Sequence, residues 1–375
     1  MSQLRSPAQG SLAADRLPPD VALVHDYLNQ RGGAERVVLE MASMWPSAPV
    51  YTSLYRPDST FPGFRELDVR TSFLDRLPFD RGFRALLPLY PAAFRSLGVI
   101  DADLVISSSS GWAHAVRTSQ RAFHAVYCYT PARWLYDGDY MADASVRRAL
   151  ASFGALLRRW DRHVARRPDL YIAISEVARR RILARYGRDA PVVHPPVDVE
   201  RFSPAPRGER LLVVSRLLPY KRIDLVVDAA TRAGIGLDVV GDGPALMDLR
   251  GRAGPTVRFL GRLPDAEITE LFERCRSFCL PGIEEFGITT LEANAAGKPV
   301  VAFAGGGALE TVDEGVTGVF FREPSVNALL DALEACDAIC TPPERIAHHA
   351  RSFSASTFRE RLTSVLAEAI TQRRS

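Results

Sequence analysis

The chain has 375 residues, of which 47% are hydrophobic and 24% are charged, values typical of a soluble globular protein with two domains of ordinary size. The net charge of +3 is unevenly distributed, because residues 142–188 carry 12 arginines against 4 acidic residues. Such a segment suits anionic lipid, a lipid pyrophosphate or nucleic acid. It is also what a solvated face looks like in a chain with 45 arginines and two lysines.

The five cysteines argue against a structural zinc site. They form no CxxC pair and no histidine lies near them, so we expect reduced core thiols, as in a cytosolic protein. Residues 1–20 lack the apolar stretch of a signal peptide and are expected to form a flexible tail. No apolar run of about 20 residues is present, so no membrane span is predicted.

In chain order, short apolar strands alternate with helix-length amphipathic segments, which predicts parallel sheets covered by helices. In the first half, the predicted strands are 21–25, 50–55, 103–109, 125–129 and 170–175, and the predicted helices are 34–44, 82–95, 145–165 and 176–186.

A second series of elements follows the polar, proline-marked stretch 202–210. Its predicted strands are 211–215, 237–241, 257–261, 277–281 and 299–303, and its predicted helices are 221–233, 244–252, 265–275, 288–296, 325–336 and a final amphipathic helix at 357–374.

The two series predict an α/β protein with two doubly wound, Rossmann-like domains. After the tail at 1–20, we expect a first domain at 21–203, a second at 204–355, and a C-terminal helix at 356–375 whose return to the first domain the sequence leaves open. Ligands of such sheets bind outside the carboxyl ends of the strands, so a cleft between two of them would hold two substrates.

The segment EEFGITTLEANAAGKPVVA, residues 284–302, carries the main functional signal. A helix beginning near Gly287 would present the free N–H groups of its first turn, at Ile288, Thr289 and Thr290, together with the positive end of its dipole. That arrangement suits a phosphate group. The segment therefore predicts a phosphate site, with Phe286 in the preceding turn.

Two acids flank this helix start. Glu284 precedes the predicted turn and Glu292 lies about one turn inside the helix. Their carboxylates can accept hydrogen bonds from sugar hydroxyl groups while the helix start binds phosphate. The segment as a whole therefore predicts a nucleotide-sugar pocket.

LVVSRLLPYKR, residues 212–222, places Arg216 just past a strand and Lys221 at the start of the next helix. Two cations in a loop above a sheet suit a diphosphate, although two surface basic residues at a strand–helix junction are also ordinary. The segment at 284–292 favours the diphosphate interpretation.

VVGDGPALM, residues 239–247, puts Gly241 and Gly243 after a strand, but Leu246 stands where a dinucleotide fingerprint needs its third glycine. NAD binding is therefore disfavoured, and a tight turn against a nucleoside is expected.

LNQRGGAERVV, residues 28–38, puts Gly32 and Gly33 ahead of a helix. Glycines in this position let the backbone approach a diphosphate closely, although a plain strand–helix loop is the alternative interpretation.

Two further segments have weaker signals. His114 follows a polar run, ISSSSGW, and is either catalytic or a structural histidine. The DGD sequence at 137–139 has the two-acid pattern of metal-dependent sugar transferases, but other ligands are lacking, so we interpret it as a turn and expect no metal and no cofactor.

The order of these motifs resembles that of family 4 retaining glycosyltransferases with the GT-B fold. GGAERVV, SRLLPYKR, GDGP, EEFGITTLEANAAGKPVVA and GGALETV carry the resemblance, over roughly 21–335. The HDYL start, the SSS-x-W-A run and the LRRWDR helix are similar to those of bacterial mannosyltransferases of O-antigen and exopolysaccharide assembly. The resemblance implies two Rossmann-like domains facing across a cleft, GDP-mannose as the donor and a polyprenyl-diphosphate-linked oligosaccharide as the acceptor.

Roles for individual residues follow from the resemblance by position. Arg216 and Lys221 would hold the donor diphosphate, Glu292 the ribose hydroxyls and Glu284 the hexose. The backbone amides of 287–290 would meet the sugar and phosphate, and Gly32 and Gly33 would let the first domain close over the phosphates. The family requires no metal.

One departure affects the first domain. Close relatives often read CYCHTPMRY where this chain has VYCYTPARW, so Tyr129 stands where a histidine near the sugar is expected. Either Tyr129 or His114 makes that contact, or the contact is lost.

These expectations describe a cytoplasmic enzyme at the inner face of the membrane, acting in surface or exopolysaccharide biosynthesis. Residues 81–95 and 142–188 would touch lipid or its pyrophosphate, and nucleic acid is not an expected partner. The alternatives are a transferase using another nucleotide sugar such as a UDP-hexose, a nucleotide-sugar epimerase of the same fold, and an inactive binding subunit.

Overall fold

The computed structural model describes residues 17–77, 89–137 and 144–375, and the side chains of 144–153 are not part of the description. Most of the predicted tail at 1–20 lies outside these residues. The chain divides into two units, of which the second is Pro195–Thr357 and the first takes in the chain up to His194 together with Phe358–Ser375.

The boundary between the units lies at 194/195 rather than at the predicted 203/204. The segment between these two points packs on the second unit, where the Val197 N–H donates to the Phe353 carbonyl oxygen at 2.8 Å. The polar composition of 202–210 therefore marks a surface stretch of the second unit and not the linker.

The first unit alternates strands and helices in chain order. Its strands are β1 Val21–His25, β2 Val50–Thr52, β3 Val69–Thr71, β4 Val99–Ile100, β5 Leu104–Ser109, β6 Arg117–Thr118, β7 Phe123–Cys128 and β8 Leu170–Ala173. Its α-helices are α1 Gly33–Met44, α2 Tyr90–Ser96, α3 Arg133–Tyr136, α4 Ala144–Val164 and α5 Glu176–Tyr186, with short 3₁₀ turns at Pro62–Glu66, Phe73–Arg76 and Ala113–Ala115.

Six of these strands form one parallel sheet in the order β3-β2-β1-β5-β7-β8, and β4 pairs with β6 separately. The central strands β1, β5 and β7 are buried along their whole length. Continuous apolar burial is expected of a parallel sheet, because helices cover both of its faces.

The second unit repeats this pattern. Its strands are β9 Leu211–Val214, β10 Leu237–Val240, β11 Val257–Gly261, β12 Ser277–Leu280, β13 Val300–Phe303 and β14 Gly318–Phe321. Its helices are α6 Ile223–Ala233, α7 Leu246–Arg252, α8 Asp265–Arg274, α9 Ile288–Ala295, α10 Ala308–Thr311, α11 Val326–Asp337 and α12 Pro343–Arg351, with 3₁₀ turns at Val199–Arg201 and Pro219–Lys221.

The second sheet is also parallel, with the order β11-β10-β9-β12-β13-β14. The chain runs outward from β9 to β11 and then crosses back to β12, so the strand order reverses between β9 and β12. Such a switch point is where doubly wound sheets bind ligands. Both sheets confirm the prediction of two Rossmann-like α/β domains.

The last helix, α13 Ala355–Arg374, starts in the second unit and packs on the first. The Arg373 guanidinium donates to the Ala122 carbonyl oxygen at 2.6 Å and to Asp169 Oδ2 at 3.0 Å, and the Phe358 ring lies 5.7 Å from that of Tyr127. Among the helices of the described residues, none is long and apolar enough to cross a membrane.

The predicted elements agree closely with the observed ones, with differences at short elements. The predicted strand 50–55 ends at Thr52, and most of the predicted helix 82–95 lies outside the described residues, with α2 at its end. Seven strands and α-helices were not predicted, namely β3, β4, β6, β14, α3, α10 and α12. β3 and β14 are edge strands of three and four residues, too short for a periodic pattern to develop.

Candidate functional site

Loops after four adjacent strands meet at one edge of the second sheet. The strands β10, β9, β12 and β13 are neighbours and parallel, so their carboxyl ends share an edge. These strands are followed by Gly241, Arg216, Glu284 and Gly305, respectively. The sequence signals at 212–222, 239–247 and 284–302 therefore belong to a single surface.

The charged residues of this surface are arranged around an ion pair. Lys221 Nζ donates to Glu284 Oε1, and both side chains are largely buried. Arg216 is exposed, and no described residue forms an ion pair with it. The structure thus places the residues predicted to bind the diphosphate and the hexose on one surface, where the Arg216 side chain is accessible to an anion.

The helix start at α9 provides fewer phosphate donors than predicted. Gly287 has a left-handed φ of 89°, which glycine alone adopts readily, and its carbonyl oxygen accepts from the Thr290 N–H at 3.0 Å and from Thr290 Oγ1 at 2.6 Å. The amide of Thr290 is therefore occupied, and its hydroxyl oxygen also lies 2.8 Å from Thr311 Oγ1. Ile288 and Thr289 remain as first-turn donors, whose N–H groups have no intrahelical partner.

Phe286 was predicted as a donor-binding residue, but its side chain belongs to the core. The ring is 3% exposed and lies 5.8 Å from the ring of Phe353. It anchors the turn between Glu284 and α9, and it contributes to the site only by fixing the backbone.

The glycines after β10 were predicted to approach a nucleoside, and the structure shows a different close neighbour. A Cβ at Gly241 would overlap the Ser215 carbonyl oxygen, and one at Gly243 would overlap the Leu217 backbone. The loop after β10 is therefore packed directly on the loop that carries Arg216. This packing requires glycine at both positions, and the contact with a nucleoside stays a prediction.

The glycines after β13 also allow two loops to pack closely, in this case on the loop that carries Glu284. A Cβ at Gly306 would overlap the Glu284 carbonyl oxygen, and one at Gly307 would overlap the Phe286 backbone. The Gly307 N–H also donates to the Glu284 carbonyl oxygen at 2.9 Å. Close packing against the backbone of the loop after β13 holds the loop that carries Glu284 in one position.

Glu292 has a partner that sequence reasoning missed. Arg201 Nη2 donates to Glu292 Oε1 at 3.2 Å, and Arg201 Nη1 lies 3.8 Å from Asp265 Oδ2. Arg201 lies ten positions before the first strand of the unit, so no local pattern connects it with α9. Only the fold brings the two together.

In the first unit, Gly32 and Gly33 stand at the start of α1, beyond the carboxyl end of β1. A Cβ at Gly32 would overlap Glu35 Oε2, a buried carboxylate oxygen with no hydrogen-bond partner in the described structure. A side chain at Gly32 would therefore have to displace the Glu35 carboxylate. Gly33 is exposed at the helix start, as a diphosphate contact would need.

Tyr129 is buried in the first unit. Its hydroxyl donates to the Ala34 carbonyl oxygen at 3.1 Å and lies 3.0 Å from Ser108 Oγ. Burial raises the pKa of Tyr129 well above its ordinary value, so the phenol stays neutral. Its side chain ties α1 to β5, and the structure does not support the predicted sugar contact by its hydroxyl.

His114 is buried in the core of the first unit, which favours the structural interpretation, and its catalytic role stays a prediction. The side chain is 2% exposed, and its Nε2 lies 3.2 Å from Oδ1 of the fully buried Asp161 on α4. The second oxygen of Asp161 accepts from the Tyr136 hydroxyl at 2.7 Å. The neighbouring Trp112 and Trp160 rings lie 5.2 Å apart. The SSS-x-W-A and LRRWDR motifs therefore form one packing contact.

Replacing His114 with asparagine is expected to lower the free energy of unfolding by about 3 kcal/mol, because it removes one partner of a buried pair. The rate of donor turnover by the folded variant should change little. Urea denaturation measures the first effect, and His163→Asn, at an exposed histidine of α4, is the control with an expected change below about 0.5 kcal/mol. A large loss of turnover in a fully folded His114→Asn protein would instead support a catalytic role for His114.

Metal ligands are not clustered in the part of the chain that the structure describes, where no group of three His, Cys, Asp or Glu side chains could hold an ion. Of the DGD sequence at 137–139, only Asp137 is described, and it pairs with Arg133, Arg181 and Arg185 at 3.6 to 4.0 Å. The other two residues lie outside the described residues.

Two family models match the chain. The model "Glycosyltransferase Family 4" matches residues 31–201 and "Glycosyl transferases group 1" matches residues 198–345. The two matches correspond to the two units of the fold and meet near the boundary between them.

Curated relatives include the D-inositol 3-phosphate glycosyltransferases of Mycobacterium bovis and Mycobacterium tuberculosis. Each is 30% identical to this chain over 227 residues, which are 53% of this chain and 47% of the relative. The matched region thus spans about half the length of these relatives.

Solved structures agree on the fold at lower identity. Anabaena HepE in complex with UDP and glucose has a TM-score of 0.70 at 19% identity, covering 93% of this chain and 99% of that one. Sucrose-phosphate synthase from Thermosynechococcus elongatus has a TM-score of 0.70 at 17% identity, covering 94% and 100%. The chain therefore has the GT-B fold of these structures, and its two units match, in order, the models "Glycosyltransferase Family 4" and "Glycosyl transferases group 1".

Proposed function

We propose that the protein is a retaining glycosyltransferase that transfers a hexose from a nucleotide sugar to a lipid-linked saccharide. The observation that carries this proposal is the grouping of Arg216, Lys221, Glu284 and the start of α9 at the carboxyl edge of the second sheet. Cations and amide donors suit a diphosphate, and a carboxylate suits sugar hydroxyls.

In the proposed reaction, the acceptor oxygen attacks the anomeric carbon from the face that the diphosphate leaves. The bond between the anomeric carbon and the diphosphate oxygen breaks, the bond to the acceptor oxygen forms, and the acceptor's proton passes to the leaving diphosphate. Arg216 and Lys221 stabilise the charge that develops on this leaving group. Glu284, held by Lys221, orients the hexose. The proposed reaction uses no metal and no other cofactor.

GDP-mannose is the proposed donor, on the likeness of the HDYL, SSS-x-W-A and LRRWDR segments to bacterial mannosyltransferases. UDP-glucose is the competing donor, because Anabaena HepE is described in complex with UDP-glucose. Both donors present a diphosphate to the same cations, so the proposed mechanism is unchanged by the choice.

The test is release of nucleoside diphosphate from GDP-mannose and from UDP-glucose, with and without a polyprenyl-diphosphate-linked saccharide. A transferase releases diphosphate and does so faster with its acceptor. The product's anomeric proton, observed by NMR, should show the configuration of the donor. Conversion of the nucleotide sugar without release would instead indicate an epimerase, and no conversion of either donor would contradict the proposal.

We further propose that the enzyme works at the inner face of the cell membrane in surface or exopolysaccharide biosynthesis. On α4 and α5, Leu156 and Leu183 are exposed among exposed arginines, including Arg159, Arg180 and Arg185, as in a surface that meets anionic lipid. The segment 81–95 supports this less than expected, since Tyr90 and Phe94 are buried and 81–88 lie outside the described residues.

Sedimentation with anionic and neutral vesicles at low and high salt tests the membrane proposal. Binding to anionic vesicles that weakens as salt rises is expected, because charge attraction to lipid is screened. Failure to bind anionic vesicles at low salt would remove this part of the proposal and leave the transferase activity unaffected.

A further inference from the structure

We infer that Arg201 is a positioning residue, which holds the Glu292 carboxylate for the ribose of the bound nucleotide. The inference rests on the proposed function and on the ribose contact that the family resemblance implies for Glu292. It concerns how the same site distinguishes a ribonucleotide from a nucleotide without ribose hydroxyls. Arg201 lies in the turn Val199–Arg201, and Glu292 lies on α9, 91 residues later.

The contact is largely protected from water. The Arg201 and Glu292 side chains are 17% and 14% exposed, and Nη2 of the arginine donates to Oε1 of the acid at 3.2 Å. A charge-assisted hydrogen bond in such a setting is stronger than a surface ion pair. It limits the rotation of the glutamate side chain and so helps to fix the position of the carboxylate.

The arginine itself is fixed by its neighbours. Its guanidinium lies 4.5 Å from the centre of the Phe202 ring, and the Phe202 ring packs at 5.6 Å against that of Phe272 on α8. Asp265 at the start of α8 is within 3.8 Å of Nη1. Arg201 is therefore a rigid link from α8 to the acid on α9.

This link is not the arrangement that stability alone would select. Nε and Nη1 of Arg201 are buried and make no hydrogen bond within the described residues, because Asp265 Oδ2, at 3.8 Å from Nη1, lies beyond hydrogen-bond distance. A buried charged donor left without an acceptor costs about 1–3 kcal/mol or more. Orphaned buried groups of this kind occur where a site requires the side chain for something other than folding.

The consequence for binding is specific. If Arg201 aims the Glu292 carboxylate at the ribose, its loss weakens the contact to the hydroxyls and leaves the diphosphate contacts of Arg216 and Lys221 in place. Affinity for ribonucleotides should fall, and affinity for nucleotides lacking the hydroxyls should not. A residue that only supported the fold would lower both affinities together.

The experiment is titration calorimetry of the full chain with GDP, UDP and their 2′,3′-dideoxy counterparts. For the wild type we expect the preferred ribonucleotide to bind at least about tenfold more tightly than its dideoxy form, as for loss of hydrogen bonds to a charged group. Arg201→Met should reduce this ratio to near one. Glu292→Gln should do the same, and the double variant should show no further reduction.

Arg207 supplies the matched control. It is another partly buried arginine of the same unit, whose guanidinium donates to the Cys336 and Ile339 carbonyl oxygens at 2.9 and 2.6 Å. Arg207→Met should lower the melting temperature without changing the ratio. If Arg201→Met does not fold, Arg201→Lys, which keeps the charge without the planar fork, should give a ratio between those of the wild type and Glu292→Gln.

The outcomes separate the two claims. A wild type that distinguishes ribose from dideoxyribose, together with an Arg201→Met protein that keeps the same ratio, overturns the role of Arg201 and leaves the proposed function standing. A wild type that binds none of the four nucleotides overturns the proposed function and the inference with it. A ratio lost equally in Arg207→Met would make the effect one of general stability and would also overturn the inference.

Discussion

Replacing Arg216 with methionine is expected to lower the rate of nucleoside diphosphate release at saturating donor by a hundredfold or more. Loss of one preorganised group that stabilises a developing anion costs about 3–4 kcal/mol in the transition state. Arg216 is exposed, lies just past β9 and forms no ion pair with the described residues, so its removal leaves no buried acid unpaired. Stopped assays of donor turnover measure the effect.

Arg274 provides the control for this variant. It is an exposed arginine of the same unit, at the end of α8, and among the described residues it forms an ion pair with the exposed Glu270 alone, at 3.8 Å. Arg274→Met should leave turnover within about twofold, since the change lies away from the sheet edge and surface substitutions cost less than about 0.5 kcal/mol. Equal rates for the two variants would remove Arg216 from the catalytic surface.

Replacing Gly307 with alanine is expected to destabilise the second unit by about 3 kcal/mol, because overpacking a closed contact forces the backbone to shift. The added Cβ would overlap the Phe286 backbone, and the shift would disturb the loop that carries Glu284. Urea denaturation and nucleotide titration of the same protein should show lower stability and weaker binding together.

Gly251 isolates the steric part of this effect. Gly307 has an ordinary φ of −69° and Gly251 lies inside the helix α7, so alanine strains the backbone at neither position. A Cβ at Gly251 meets no atom within 4 Å. Gly251→Ala should therefore stabilise by up to about 1 kcal/mol through helix propensity. A Gly307→Ala protein as stable as the wild type would refute the close packing of the two loops.

The sequence predicted the fold well because the signal was local. The strands of the second sheet are short apolar runs at 211–215, 237–241 and 257–261, and each lies within one residue of the observed strand. The boundary between the units was harder to predict from the sequence. It depends on where 195–203 packs, and this is a long-range contact with Phe353 that composition does not record.

The candidate site was predicted in part for the same reason. Arg216, Lys221 and Glu284 follow strand ends, and the parallel sheet gathers such positions at one edge. Arg201 could not be found, because it stands in an irregular segment and acts through a residue 91 positions away. Phe286 and His114 were assigned to ligands on their position in motifs, and burial of their side chains was not visible in the sequence.

The glycines show a second limit of sequence reasoning. Gly241 and Gly243 were attributed to the approach of a nucleoside, and the structure attributes them to the approach of Ser215 and Leu217. A missing side chain indicates that something comes close, but it does not say whether that is a ligand or the chain itself. In this site the chain comes close to itself, and the resulting rigidity is what positions the charged residues.

The central claim is that the carboxyl edge of the second sheet binds a nucleoside diphosphate. The most direct measurement is the melting temperature of the wild type and of Arg216→Met with GDP, UDP, ADP and TDP, with and without Mg²⁺. We predict that GDP stabilises the wild type selectively, equally with and without magnesium, and at a hundred times its Kd by about 2.7 kcal/mol, with most of the shift lost in the variant. Selective stabilisation by UDP would keep the site and change the donor, whereas no shift with any of the four nucleotides would contradict the account.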